Sequence, residues 1–376
     1  MINYYISIVL LLQLFTASCS DDDENKDQNA PKKSEVRYEL NELHSGLENP
    51  WSLCFPSDHE ILITERGGNL VLFNLNTGKA KDISGVPEVA AIGQGGLLDI
   101  ILHPDFKQNK LVYFSYAASG TDGANTAVGR AEFDGNQLIN REKIFQAQPF
   151  LQGGSHFGSR LIFDDGGFLY VSVGDRGTPD NAQDSSNHCG KLLRLNADGS
   201  APSDNPFVDV NGAMPEIYTM GNRNIQGMDI RPETREIYTH EHGPRGCDEI
   251  NLMKAGENYG WPKVTHGENY DGTPITPHTS LEGYKDPLHH WTPSVAPCGM
   301  AFLPDDFPAP DDENLFIGTL AAQHLKGVKL VNDKVLSTNR YFEGQGRFRA
   351  IECLEQRCFV LTESPGKLYE LIPEPQ

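Results

Sequence analysis

From Val36 onward, apolar positions fall in short runs bounded by Gly, Pro, Asn and Asp, with no long stretch at helical period. Runs of this kind predict strands joined by tight turns. One unit recurs. ILITERGGNLVLF (61–73) and FVLTESPGKLYEL (359–371) share an apolar strand, a Thr-Glu end, a Gly turn and a second strand. Looser versions are FLYVSVGDRG (168–177) with GKLLRL (190–195), and EIYTHEHGPRG (236–246) with DEINLM (248–253). LFIGTLAAQHLKGVKL (315–330), and LVYFSYA (111–117) with GRAEF (129–133), complete the set. About six such units, joined by links of irregular length, predict an all-β fold, a six-bladed β-propeller. VRYELNEL (36–43) is expected to pair beside KLYELI (367–372), closing the ring and hiding an edge. In such a ring equivalent strand ends gather on one face, so Glu65, Asp175 and Glu241 are expected to converge with their following loops.

The first residues follow a different pattern. Residues 2–18 are an apolar stretch running into Cys19. The stretch is short and N-terminal, which predicts a secretory signal rather than a spanning helix. Thr16-Ala17-Ser18-Cys19 resembles a lipoprotein cleavage site, with Cys19 as the lipid-modified first residue. Ser20 and the acidic residues 21–24 resemble the surface-export signal of Bacteroidetes-type lipoproteins. An ordinary cleaved signal with an incidental cysteine is the alternative. The expected organisation is a signal peptide over 1–18, an acidic disordered tether over 19–35 and the propeller over 36–373. The protein is expected to be exported to the outer membrane, facing the periplasm or the cell surface, and to touch membrane through its lipid alone.

A net charge of −21 argues against nucleic acid and anionic membrane surfaces as partners. Six of the seven cysteines remain after Cys19, an even number that allows 15 full pairings. Cys353 and Cys358 bracket a predicted hairpin turn at 354–357 and suggest a local bridge.

Three groups carry candidate chemistry. His156, in GGSHFGSRLIF, lies in a Gly-rich loop before a strand. With a reference pKa near 6.5 it suits proton abstraction from a hydroxyl, although a single His is more often structural. Arg223-Asn224, Lys326, Arg347 and Arg349 form a second group. Arg347 and Arg349, two apart on a strand, share a face. Several cations aimed at one point suit a multiply anionic ligand, and scattered surface ion pairs are the alternative. The third group is HEHGPRGCDEINLMKAGENYGWP (240–262). Its carbonyls at Gly243 and Pro244 and carboxylates at Asp248 and Glu249 are hard oxygens suited to Ca²⁺. His240, His242 and Cys247 offer a rival zinc set, and a capped turn is the plain reading. GxGxxG in a βαβ context and a P-loop are both missing, which argues against a nicotinamide enzyme; residues 93–96 read as a turn.

GLENPWSL, TERGGNL, GQGGLLDIILHPDF, SHFGSRL, VGDRG, GNRNIQG, HEHGPRGCDEINL, NYGWP, HHWTPSVAP and GRFRAI occur in this order across 44–372. In this order they resemble the pyrroloquinoline-quinone (PQQ)-dependent aldose sugar dehydrogenases, the soluble quinoprotein glucose dehydrogenase family. The resemblance implies that His156 takes the proton of an aldose C1 hydroxyl while hydride passes to the quinone, giving an aldonolactone. It implies that the Gly243 and Pro244 carbonyls hold a catalytic Ca²⁺ beside the quinone. Arg223 and Asn224 would lie near the quinone oxygens, and Lys326, Arg347 and Arg349 would clamp its carboxylates. Gln94 and Asp175 would lie beside substrate and His156, with Asp175 orienting the imidazole. Asp248, Glu249 and Tyr259 match a second, structural calcium region. Electrons would leave to an external acceptor. Ser155 replaces an acidic residue of the glucose-dehydrogenase branch, and the loop 176–187 departs from that branch, leaving Gln183 as a candidate sugar contact. Two alternatives stay open, a non-catalytic carbohydrate-binding surface propeller and a metal-dependent lactonase.

Overall fold

The structure is a computed structural model that describes residues 36–374. The signal, the tether and Cys19 lie outside the described residues. Six four-stranded antiparallel sheets are arranged as six blades. Blade 1 holds Pro50–Ser57, Glu60–Glu65, Asn69–Asn74 and Lys79–Asp82; blade 2 holds Leu97–Leu102, Leu111–Gly120, Gly123–Phe133 and Leu138–Gln146. Blade 3 holds Leu161–Phe163, Leu169–Val173, Lys191–Leu195 and Ile217–Met220. Blade 4 holds Ile225–Ile230, Ile237–Glu241, Asp248–Leu252 and His289–Trp291. Blade 5 holds Pro297–Phe302, Leu315–Thr319, Leu325–Val331 and Lys334–Tyr341. Blade 6 holds Phe348–Leu354, Arg357–Thr362 and Lys367–Glu374, and its fourth strand is Arg37–Ser45. The strand from the other end of the chain therefore closes the ring beside 367–372 as expected, with Leu40 opposite Leu371.

Each repeat in the sequence is the middle hairpin of a blade. Middle strands are covered on both faces by neighbouring blades, so they read as unbroken apolar runs. Leu169–Val173 and Leu315–Thr319 are buried along their whole length. Outermost strands carry a weaker signal because they face water, and Lys79–Asp82 is exposed throughout. The apolar clusters fill the gaps between blades. Leu62 and Leu72 of blade 1 meet Val112 and Phe114 of blade 2 in one of them. Phe348 and Val360 of blade 6 meet Phe316 and Leu325 of blade 5 in another.

The first strands of the six blades surround the axis, and Arg160 of blade 3 ties them together. Its Nε donates to the Gln226 carbonyl of blade 4 at 2.7 Å, and one terminal nitrogen donates to Cys298 Sγ of blade 5 and the Arg349 carbonyl of blade 6. The other faces Asp99 of blade 2 at 3.7 Å, and the guanidinium lies 4.0 Å over the Trp51 ring of blade 1. Asp99 also accepts from Ser52 Oγ and the Leu161 N–H. Cys353 and Cys358 form a disulfide, the bridge that the hairpin suggests, while Cys54, Cys189, Cys247 and Cys298 are reduced and buried.

Candidate active site

All six blades contribute to a cavity of about 290 Å³. Its wall includes Trp51 and Arg66 (blade 1), Gln94 and Leu98 (blade 2), Phe157 and Gly158 (blade 3), Asn224, Gln226 and His242 (blade 4), Ala296 and Leu320 (blade 5), and Arg347, Arg349 and Glu363 (blade 6). The participation of all six blades puts the cavity on the axis. Most of these residues lie where first strands begin or just past the ends of second strands, so the expected convergence holds for this face. Glu65 serves the backbone there, accepting from the Glu48 N–H and from Asn69.

His156 occupies a strained position beside this cavity. Its φ is +54°, in the left-handed region that a non-glycine residue seldom adopts. Packing on the next strand end imposes this. A Cβ on Gly174 would come within 2.2 Å of the His156 carbonyl oxygen, so two backbones are in contact there. The His156 N–H donates to Gln94 Oε1 at 2.8 Å. Its Nδ1 lies 2.6 Å from Asp175 Oδ1, and Asp175 is fully buried. Burial pushes the Asp175 carboxyl up. Hydrogen bonding and charge at His156, the Gly177 N–H and the charge of Arg223 outweigh burial and leave it below the ordinary value. An ionised Asp175 makes Nδ1 the protonated nitrogen and leaves Nε2 with a free lone pair. The other Asp175 oxygen accepts from Trp261 Nε1 at 2.8 Å.

Arg176 fixes the loop that carries His156. Its guanidinium donates to the carbonyls of Ser155, Gly153 and Ala124 and stacks 3.5 Å over Phe157. Burial brings it down to about 10. Gln183 does not face the cavity. Its amide pairs reciprocally with Asn258 at 2.8 and 3.0 Å and donates to the Trp261 carbonyl at 2.7 Å, so it supports the wall from behind.

The cationic group separates into two. Arg347 and Arg349 line the cavity and share Glu363, with Arg347 Nε and Arg349 at 2.8 and 2.7 Å from its two oxygens. Arg349 is buried, and its Nε has no hydrogen-bond partner among the described residues. Arg66 adds a cation that donates to the Gly93 carbonyl. Lys326 departs from the clamp expected of it. It belongs to the third strand of blade 5, which does not reach the axis, and its Nζ lies 5.5 Å over Trp291 on the outermost strand of blade 4. Burial and Arg340 bring it down to about 8. Asn224 lines the cavity, its Oδ1 accepting from the Gly158 N–H at 3.0 Å. Arg223 lines a smaller pocket beside the cavity, with His242 common to both walls. It donates to the His242 and Gly243 carbonyls at 3.0 and 2.9 Å, and its Nε is unpartnered among the described residues.

The 240–262 segment also divides. Asp248 accepts from the Gly243, Val295 and Ala296 N–H groups and the Ser294 hydroxyl. Both oxygens are thereby engaged, and Asp248 acts as a backbone clasp rather than an open cation ligand. The Tyr259 hydroxyl donates to the Leu252 carbonyl and accepts from the Lys254 N–H, so it too is occupied. Glu249 faces the smaller pocket and accepts from the Cys247 thiol at 2.7 Å and, more distantly, from the Asn251 amide at 3.4 Å. Burial and the neighbouring Glu241 push Glu249 up to about 8. Glu241 itself accepts from Asn222 and from the Arg223 and Asn224 N–H groups. The zinc set does not assemble. His240 Nε2 lies 3.1 Å from the Gly299 carbonyl and His242 Nε2 2.8 Å from the Pro297 carbonyl, both toward blade 5, whereas Cys247 faces Glu249.

Several residues in or beside the wall carry less signal in the sequence. Arg66 and Arg176 each directly follow an acidic strand end already singled out, Glu65 and Asp175. Extending each strand end by one residue finds both. Glu363 closes the second Thr-Glu strand end of the repeat, the counterpart of Glu65, whereas Trp51 carried no such signal, because an isolated Trp on a strand is ordinary.

The Glucose / Sorbosone dehydrogenase family profile matches residues 47–370. An aldose sugar dehydrogenase of Escherichia coli, YliI, is 40% identical over 340 residues, covering 88% of this chain and 92% of its own. A crystal structure of a glucose dehydrogenase superposes with a TM-score of 0.86 at 40% identity, over 89% of this chain and 99% of that one. The PQQ-bound form of an aldose sugar dehydrogenase from Streptomyces coelicolor superposes with a TM-score of 0.75 at 25% identity, over 91% and 99% of the two chains. This chain is a member of the glucose/sorbosone dehydrogenase family.

Proposed function

We propose that this protein is a quinoprotein aldose dehydrogenase that oxidises the C1 hydroxyl of an aldose to an aldonolactone, using PQQ in the axial cavity and one Ca²⁺. The carrying observation is the juxtaposition of a carboxylate-oriented histidine with a cavity walled by arginines. Three features of the wall fit PQQ. Arg66, Arg347 and Arg349 outnumber Glu363, which leaves net positive charge for a polycarboxylate. Arg349 keeps an unpartnered buried nitrogen, a donor that is costly to leave unpaired. The volume falls near the lower end of small-ligand pockets, about 300 Å³. A lactone has no charge to match these arginines, which counts against the lactonase reading. The PQQ-bound aldose sugar dehydrogenase named above supports the cofactor.

In this reading Arg347 and Arg349 hold the cofactor carboxylates, and Asn224 and Gln94 border it. The Gly243 and Pro244 carbonyls hold the Ca²⁺, a hard-oxygen pair beside the Arg223 guanidinium. When bound, PQQ with its Ca²⁺ supplies a two-electron acceptor. His156 Nε2 takes the proton of the sugar C1 hydroxyl as C1 loses hydride. Asp175 holds the opposite imidazole nitrogen and stabilises the cation that forms. Electrons leave to an external acceptor. The apolar run ending at Cys19 supports export and anchoring through a lipid, at the periplasmic or outer face of the outer membrane. Cys19→Ser should then move the protein from the membrane to the soluble fraction; unchanged membrane retention contradicts the anchor.

The test is reconstitution with PQQ and Ca²⁺, followed by aldose-dependent dye reduction. His156→Ala should take up the quinone normally and lose about 10³-fold or more in kcat, within the usual range for a general base and its orientation. Failure of the loaded wild type on a broad aldose panel would sink the proposal and favour the carbohydrate-binding alternative.

A further inference from the structure

The Trp261 indole is buried between Asp175 and Arg223, and its N–H spends itself on the Asp175 oxygen that His156 does not use. Its placement is secured from three sides. The Trp261 N–H donates to the Gly221 carbonyl at 2.9 Å. Gln183 donates to the Trp261 carbonyl, and Gln183 is itself locked by the reciprocal amide pair with Asn258. Asn258 Oδ1 also receives the Gly260 N–H, which fixes the turn entering Trp261. A chain of hydrogen bonds thus runs from Gln183 through the Trp261 backbone, its indole and Asp175 to His156.

We propose that Trp261 is a positioning residue that sets the basicity of His156 through Asp175, and that Gln183 and Asn258 hold Trp261 in register for this purpose. The proposal rests on the reading of His156 as the base. An N–H donated to a carboxylate draws off part of its negative charge. Asp175 then holds the imidazole tautomer without over-stabilising the imidazolium. It also remains in one rotamer, so Oδ1 stays under Nδ1 and Nε2 keeps its free lone pair in a fixed direction. Without the indole N–H, Asp175 keeps its charge and loses a tether. The His156 cation becomes more stable, and the imidazole is less well aimed.

Trp261→Phe removes the donor and keeps an aromatic ring. Proton NMR of the His156 ring in the quinone-free protein should show its midpoint moving up by about half to one pH unit relative to wild type. In reconstituted enzyme the same variant should lower kcat about tenfold, shift the acid limb of the kcat–pH profile upward by a similar amount, and leave the sugar KM and quinone uptake within about threefold. Gln183→Met, which leaves the indole but removes its lock, should give smaller changes of the same sign. It also provides the test if Trp261→Phe folds poorly. An unmoved His156 midpoint in both variants overturns the proposal. So does a lower kcat with an unmoved acid limb, since that is what loosened packing produces. The NMR readout needs no turnover. A wild type that binds quinone and oxidises no aldose therefore defeats the functional reading without being mistaken for failure of this one.

Discussion

Two sets of buried arginines, a few ångströms of structure apart, serve opposite ends. Arg160 on the axis reaches carbonyls, a thiol, a carboxylate and an aromatic ring drawn from all five other blades. Arg349 and Arg223 beside the cavity each keep a nitrogen with no partner among the described residues. One guanidinium is consumed by the fold, whereas the others retain donors. A buried donor without an acceptor costs about 1–3 kcal/mol, so a fold that keeps one in each of two adjoining pockets gains if ligands meet them. The same contrast separates the two glutamates on the strands of blade 4. Glu241 is saturated by an amide and two N–H groups, whereas Glu249 has a thiol, a distant amide and a repelling neighbour.

Removing Arg160 should do the most damage. Arg160→Met leaves Asp99 buried without its cation, and losing one partner of a buried pair costs about 3–5 kcal/mol. Urea unfolding should show that loss, with a matching fall in Tm. A stability close to wild type would mean that the axial contacts are incidental. Arg349→Met should invert the pattern. Glu363 keeps Arg347, so stability should fall by less than about 2 kcal/mol, while PQQ affinity should drop about 30- to 100-fold, the worth of a charged hydrogen bond or two. Equal losses of stability and of quinone binding would erase the distinction between the two sets.

Glu249 offers a smaller, pH-dependent effect. Burial and the charge of Glu241 push its folded carboxyl up to about 8, above the value near 4.3 of unfolded glutamates. Between those values the folded protein holds a proton that the unfolded chain has released. Raising the pH through that window should therefore lower the Tm of metal-free protein. Glu249→Gln should flatten the dependence, and an unchanged slope in that variant would assign it to another group.

Most of the architecture was legible because each blade's middle hairpin is buried on both faces and so leaves an unbroken apolar signature. The closing strand was legible from the unpaired edge that it had to cover. The surroundings of the cavity were legible where a motif fixes a backbone: the loop around His156, the turn at Gly243 beside the smaller pocket and the Arg347/Arg349 pair in the wall. They were obscure where depth within a blade decides the outcome. Lys326 looked like a third clamp residue, but a third strand cannot bring its side chain to the axis. Asp248 and Tyr259 looked like open oxygens, yet backbone groups distant in sequence occupy them. Trp261 stood in plain view in NYGWP, and only its distance to Asp175 gives it a role.

The central claim is that the axial cavity receives PQQ in a redox-competent position. Absorbance titration of the metal-free protein with PQQ in excess Ca²⁺, followed by an aldose, addresses it directly. The account predicts saturation at one quinone per chain and a shift to the reduced-quinone spectrum on adding sugar, with the saturation weakened in Arg349→Met. A titration without saturation, or a bound quinone whose spectrum no aldose changes, would contradict it.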